Sequence, residues 1–70
     1  MFYTIIIREN GLIEFGARMS SVAILLKEQR AYAFQGHELL EVSIATSRSM
    51  LGKSLEERQA IVKQLKQLNN

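Results

Sequence analysis

The chain has no cysteine, no proline and a single histidine among its 70 residues. Without cysteine no disulfide can staple it, and one histidine cannot by itself build a structural zinc site. The usual supports of very small domains are therefore missing, and no metal or cofactor is expected. A chain this short buries only about 60% of its unfolded surface. With a hydrophobic fraction of 47%, some apolar strand surface is expected to face another subunit, which predicts a homo-oligomer.

Charge of one sign is also scarce. Nine Lys and Arg against seven Asp and Glu leave a net charge of +2, an excess that permits contact with phosphates without demanding it. The apolar segment Met1 to Ile7 lacks a basic leader and is far too short for a signal peptide or a membrane span. The expectation is a soluble, cytoplasmic protein without membrane contact. No Pro-rich linker, repeat or low-complexity tract divides the chain, so residues 1–70 read as one domain.

What is present is alternation. Phe2 to Arg8 places Tyr3, Ile5 and Ile7 on one face and Phe2, Thr4 and Ile6 on the other, a β-branched pattern that predicts a strand over about 2–8. Asn10-Gly11 then signals a hairpin, here expected as a type I′ turn. A second strand follows over about 12–19, interrupted by Gly16, which marks a bulge or bend. Residues 38–46 alternate Leu40, Val42, Ile44 and Thr46 against Leu39, Glu41, Ser43 and Ala45, a further strand. Ser54-Leu55-Glu56-Glu57 is a capping box that opens a helix over about 55–68. Its stripe is Leu55, Ile61, Val62, Leu65 and Leu68, with acidic residues first and basic ones last, in accord with the helix dipole.

Ser21 to Phe34 supports two readings. As a helix it is capped by Ser20 or Ser21, shows Val22, Leu25, Leu26, Gln29 and Ala33 on one face, and ends before Gly36. As a hairpin it gives strands over about 22–27 and 30–35 around a polar Lys27–Gln29 turn, with Tyr32 and Phe34 on one side. Helix propensity favours the first. On the second, Gly36 is a tight turn joining two strands, and Gln35, Gly36 and His37 form a polar cluster at the sheet edge.

No catalytic motif is strong, and an enzyme is not expected. Ser47-Arg48-Ser49-Met50-Leu51-Gly52-Lys53-Ser54 is a near miss to a phosphate-binding loop, with Ser47 at the leading glycine position and no βαβ crossover around it. A weaker form survives, in which Arg48, Lys53 and the helix start at Ser54 hold a single phosphate. The simpler reading is a solvated, capped turn. His37 has no second ligand for a metal and no assignable partners for nucleophilic catalysis, but beside Gln35 it could stack on or hydrogen-bond a base. Tyr32 and Phe34 could form a stacking platform, although no Lys or Arg alternates with them as an electrostatic groove requires, and core or interface packing is simpler.

The order of these features resembles the Sm-like family, which includes the Sm and Lsm proteins and bacterial Hfq. Asn10-Gly11-Leu12-Ile13-Glu14-Phe15-Gly16 is similar to the family's first motif, Val22 to Lys27 to its third strand, and Phe34-Gln35-Gly36-His37-Glu38-Leu39-Leu40-Glu41-Val42 to its second motif. The chain departs from the family in carrying Gln35 where Arg is common, in a short Arg18–Ser21 loop without Asp or Asn, and in lacking the N-terminal helix. The resemblance implies a mostly β fold, a small, strongly bent five-stranded antiparallel sheet of the Sm-like or SH3-like barrel kind, followed by one C-terminal helix. It also implies a ring closed by pairing edge strands between subunits, and binding of single-stranded RNA through Arg18, Ser20, Ser21, Gln35, Gly36 and His37. The alternative is an α+β fold with residues 21–34 helical, acting as a small protein-interaction or regulatory module without nucleic-acid binding.

Overall fold

The computed structural model describes residues 1–68, and the Asn69-Asn70 end lies outside them. The fold is α+β. It comprises β1 (Tyr3–Ile7), β2 (Ile13–Phe15), α1 (Val22–Phe34), β3 (Glu38–Val42), α2 (Ile44–Ser49) and α3 (Leu55–Leu68). The strands form one antiparallel sheet in the order β2-β1-β3. The five-stranded barrel with a single helix is therefore overturned: among the described residues three strands and three helices are formed.

The hairpin forms at Asn10-Gly11, but with a different turn. Arg8 N–H donates to the Leu12 carbonyl at 2.7 Å and Gly11 N–H to the Arg8 carbonyl at 2.9 Å. Gly11 has φ +92° while Asn10 keeps a negative φ, so this is a three-residue loop with a glycine bulge rather than a type I′ turn. The Asn10 side chain accepts from Leu12 N–H at 3.1 Å, a local bond that serves the turn without left-handed backbone.

Beyond Phe15 the pairing slips. Gly16 N–H still donates to the Thr4 carbonyl, yet Phe2 pairs with Met19, so two residues of the second strand oppose Tyr3 alone. The bulge expected at Gly16 falls just beyond it, at Ala17 and Arg18, and regular pairing stops at Phe15 instead of reaching residue 19. Thr4, 2% exposed, fills the bulge and donates from Oγ1 to the Ala17 carbonyl at 2.7 Å. A Cβ at Gly16 would collide with that threonine side chain.

Residues 22–27 and 30–35, expected as two strands, are one helix. Ser21 Oγ accepts from Ile24 N–H at 3.2 Å, which starts α1, and the Leu25–Arg30 stretch of good helix formers offers no turn residue at which to reverse. The helix ends in a Schellman motif: Gly36 N–H donates to the Ala33 carbonyl and His37 N–H to the Tyr32 carbonyl, both at 3.0 Å. Gly36, at φ +79°, takes the left-handed position that this cap requires. Its role is to end a helix, not to join two strands.

The strand expected over 38–46 stops at Val42. Ser43 Oγ accepts from Thr46 N–H at 3.1 Å and caps α2, so Ile44 and Thr46 are helical despite their alternation. The capping box of α3 forms as expected, with Glu57 N–H donating to Ser54 Oγ at 3.2 Å and Ser54 N–H to the Glu57 carboxylate at 3.1 Å.

Period-two alternation gives the sheet two apolar faces, and each is covered. Ile6, Met19 and Leu39 pack with Leu25 of α1, flanked by Phe2 and Tyr32. Ile5, Ile13 and Val42 pack on the other face with Met50 and Val62, so α2 and α3 cover it. The molecule is thus three layers thick, with the sheet in the middle.

Candidate functional site

The residues expected to contact RNA fall into two groups that the fold holds apart. Arg18, Ser20 and Ser21 precede α1, whereas Gln35, Gly36 and His37 follow it. The 13 residues of α1 span about 20 Å, so the two groups stand at opposite ends of a helix. Tyr32 and Phe34 also separate: Tyr32 packs against the core, and Phe34 is 92% exposed. No shared stacking platform results.

His37 instead meets the β1–β2 hairpin. Glu9 N–H donates to His37 Nδ1 at 3.0 Å, which leaves the ring proton on Nε2 in the neutral form. Together with Arg8, Glu9, Asn10, Leu12 and Glu14 it lines a shallow cleft of about 640 Å³. Arg8 is taken up by Glu14, with Nε and Nη2 donating to one carboxylate oxygen at 3.0 and 2.8 Å. Glu9 then leaves the cleft with an excess of negative charge, the wrong sign for a phosphate.

Of the phosphate candidates, Ser54 and Lys53 are likewise committed. Ser54 and Glu57 satisfy each other, Lys53 lies 4.0 Å from the Glu57 carboxylate, and Arg48 sits in the last turn of α2, exposed. The Ser54 backbone N–H, then its hydroxyl and to a lesser degree Lys53, hold the Glu57 carboxyl below its usual range. A carboxylate already occupies the place at the start of α3 that an anion would take. Among the described residues no group of three or more His, Asp or Glu side chains converges as a metal site.

A different surface emerges from α1 and β3. At 100° per residue, Val22, Leu26, Gln29 and Ala33 line one side of α1, and Val22 and Leu26 are 55% and 50% exposed. Leu25 and Tyr32, which pack on the sheet, lie on a neighbouring side. The stripe has an unambiguous direction, because Gln29 Nε2 donates to the Leu39 carbonyl at 3.1 Å.

That carbonyl belongs to an open sheet edge. The bonds from Arg8 to Leu12 and from Gly16 to Thr4 turn the even residues of β1 toward β2. Its odd residues then face β3, pairing Ile5 with Leu40 and Tyr3 with Val42. Leu39 and Glu41 must therefore point their backbone N–H and C=O groups away from the sheet. On the opposite side two carbonyls are capped by α3: Arg58 Nη1 donates to the Ile13 carbonyl at 2.9 Å, and Gln59 Nε2 to the Gly11 carbonyl at 3.1 Å. The helical reading of Ser21 to Phe34 already places Val22, Leu26, Gln29 and Ala33 on one face; what sequence reasoning missed is the open edge of β3 beside them.

Among the described residues no helix is long and apolar enough to cross a membrane. Comparison with protein-family models, with curated proteins and with solved structures gives no match.

Proposed function

We propose that this chain is a small, non-catalytic protein-interaction module that works through the exposed side of α1 and the adjoining edge of β3. One observation carries the reading. A helix already packed on a sheet through Leu25 and Tyr32 presents a second apolar side, Val22, Leu26 and Ala33, with no element against it among the described residues. Such a side is characteristic of a helix buried on both flanks. Single-stranded RNA finds less support, since the two groups expected to bind it are about 20 Å apart and the cleft at His37 is acidic. A cytoplasmic setting accords with a cysteine-free chain that needs no oxidising compartment.

A photo-crosslinking residue in place of Leu26, introduced in living cells, tests the assignment. The expected result is protein adducts from position 26 and none from position 63, an exposed site on α3. Adducts to nucleic acid, or equal yields at the two positions, contradict it.

A further inference from the structure

We propose that two copies of this chain join β3 to β3, antiparallel about a two-fold axis at Leu40, to form one six-stranded sheet with their α1 helices side by side. The inference rests on the interaction reading above, with a second copy of the chain as the partner.

The strand edge is self-complementary. With the axis at Leu40, Leu39 of one copy lies opposite Glu41 of the other, and these are the residues whose N–H and C=O groups point outward. Each Leu39–Glu41 pair exchanges two backbone hydrogen bonds. The Leu39 carbonyl keeps its bond from Gln29 on one lone pair and accepts Glu41 N–H on the other. No like charges lie directly opposite each other, because Leu40 faces Leu40 while Glu38 and Glu41 face Val42 and Leu39.

The helix side obeys the same axis. Gln29 reaches Leu39, so the middle of α1 sits over the middle of β3. Turning the stripe about that point sets Val22 against Ala33 of the other copy and Leu26 against Gln29, large side chains against smaller or flexible ones. The spacing agrees. Neighbouring strands lie about 4.8 Å apart, and α1 packs on both Ile6 of β1 and Leu39 of β3. A helix axis midway between those strands is about 4.8 Å from the two-fold, which puts the paired helices about 10 Å apart, within helix-packing range. Because Arg58 and Gln59 occupy the Ile13 and Gly11 carbonyls on the β2 side, that short edge is hindered from pairing and the assembly stops at two copies instead of extending into a filament.

Sedimentation equilibrium of the full chain, with amide hydrogen exchange on the same samples, tests the dimer. The expected mass is twice the 8.0 kDa of one chain, falling to one chain on dilution. The Leu39 and Glu41 amides exchange slowly in the dimer and at least about tenfold faster after dilution. Leu26→Glu, at a half-exposed position that leaves the circular-dichroism spectrum unchanged, raises the dissociation constant at least about tenfold. Glu41→Pro removes an N–H that this chain does not use and abolishes the dimer; if proline disturbs the fold, Leu26→Glu decides alone. A single-chain mass at millimolar concentration, or a dimer whose Leu39 and Glu41 amides exchange freely, overturns the proposal. With a monomer, adducts from position 26 to other proteins would leave the interaction reading standing, whereas their absence would remove both.

Discussion

Gln29 of α1 donates from Nε2 to the backbone carbonyl of Leu39 in β3 at 3.1 Å, a side chain from the middle of a helix capping an outward-facing group on a sheet edge. The bond fixes which side of α1 faces that edge. Removing it with Gln29→Ala leaves the carbonyl to water and lowers stability by about 0.5–1.5 kcal/mol. Urea unfolding at a concentration where the chain is monomeric measures this as a lower midpoint with an unchanged slope.

Arg58 ties α3 to the opposite edge. Its guanidinium donates to the Ile13 and Met50 carbonyls and lies 4.9 Å from the centre of the Phe15 ring. Arg58→Ala is expected to cost about 1–3 kcal/mol. Arg58→Lys recovers little of it, because an ammonium cannot reach two carbonyls and stack on a ring together. The Arg58→Ala chain should also form species larger than a dimer, as light scattering would show, because the Ile13 carbonyl on the β2 edge is then free to pair.

Gly36 is held at φ +79° by the Schellman cap of α1. A Cβ there meets only the flexible end of Glu9, at 2.8 Å, so the cost of Gly36→Ala is conformational. It is expected to be about 1–2 kcal/mol. Gly36→Asn costs less, since asparagine tolerates that region, and thermal unfolding of the two variants gives the order.

The capping box predicts a pH dependence. The Glu57 carboxyl titrates below its ordinary value of 4.5 in the folded chain, so the unfolded chain binds more protons in that range and stability rises with pH. The contribution is complete above the unfolded value and disappears as pH falls through the folded one. Urea midpoints should therefore fall more steeply on acidification for the wild type than for Glu57→Gln; equal slopes would remove the capping box as the cause.

Much of the local structure was legible because local chemistry decides it. Ser54 and Glu57 announce α3, Asn10-Gly11 the hairpin, and Gly16 a bulge that falls just beyond it. The error at residues 22–35 has a physical origin: Ala31-Tyr32-Ala33-Phe34 alternates small and large, which imitates a strand, and α1 is apolar around most of its circumference, which blunts the helical period. The helical alternative with a serine cap and Gly36 beyond its end describes what forms. Ile44 and Thr46 continued the alternation of β3 past Val42, and only the Ser43 cap marks where a helix takes over. Of the interaction surface, the α1 face of Val22, Leu26, Gln29 and Ala33 was legible in the helical reading, and the open sheet edge beside it was not. It depends on which β1 groups face β2, and therefore on which β3 groups are left outward, and a sequence does not state that pairing.

The most direct measurement is an isotope-filtered nuclear Overhauser experiment on a mixture of labelled and unlabelled chains. Val22 and Ala33 lie about 16 Å apart along one helix, too far for a contact within one copy. The dimer predicts cross-peaks between the Val22 methyls of one copy and the Ala33 methyl of the other, with Leu40 methyls meeting across the axis. Intermolecular contacts confined to α3 or to the hairpin, or none at millimolar concentration, would contradict it.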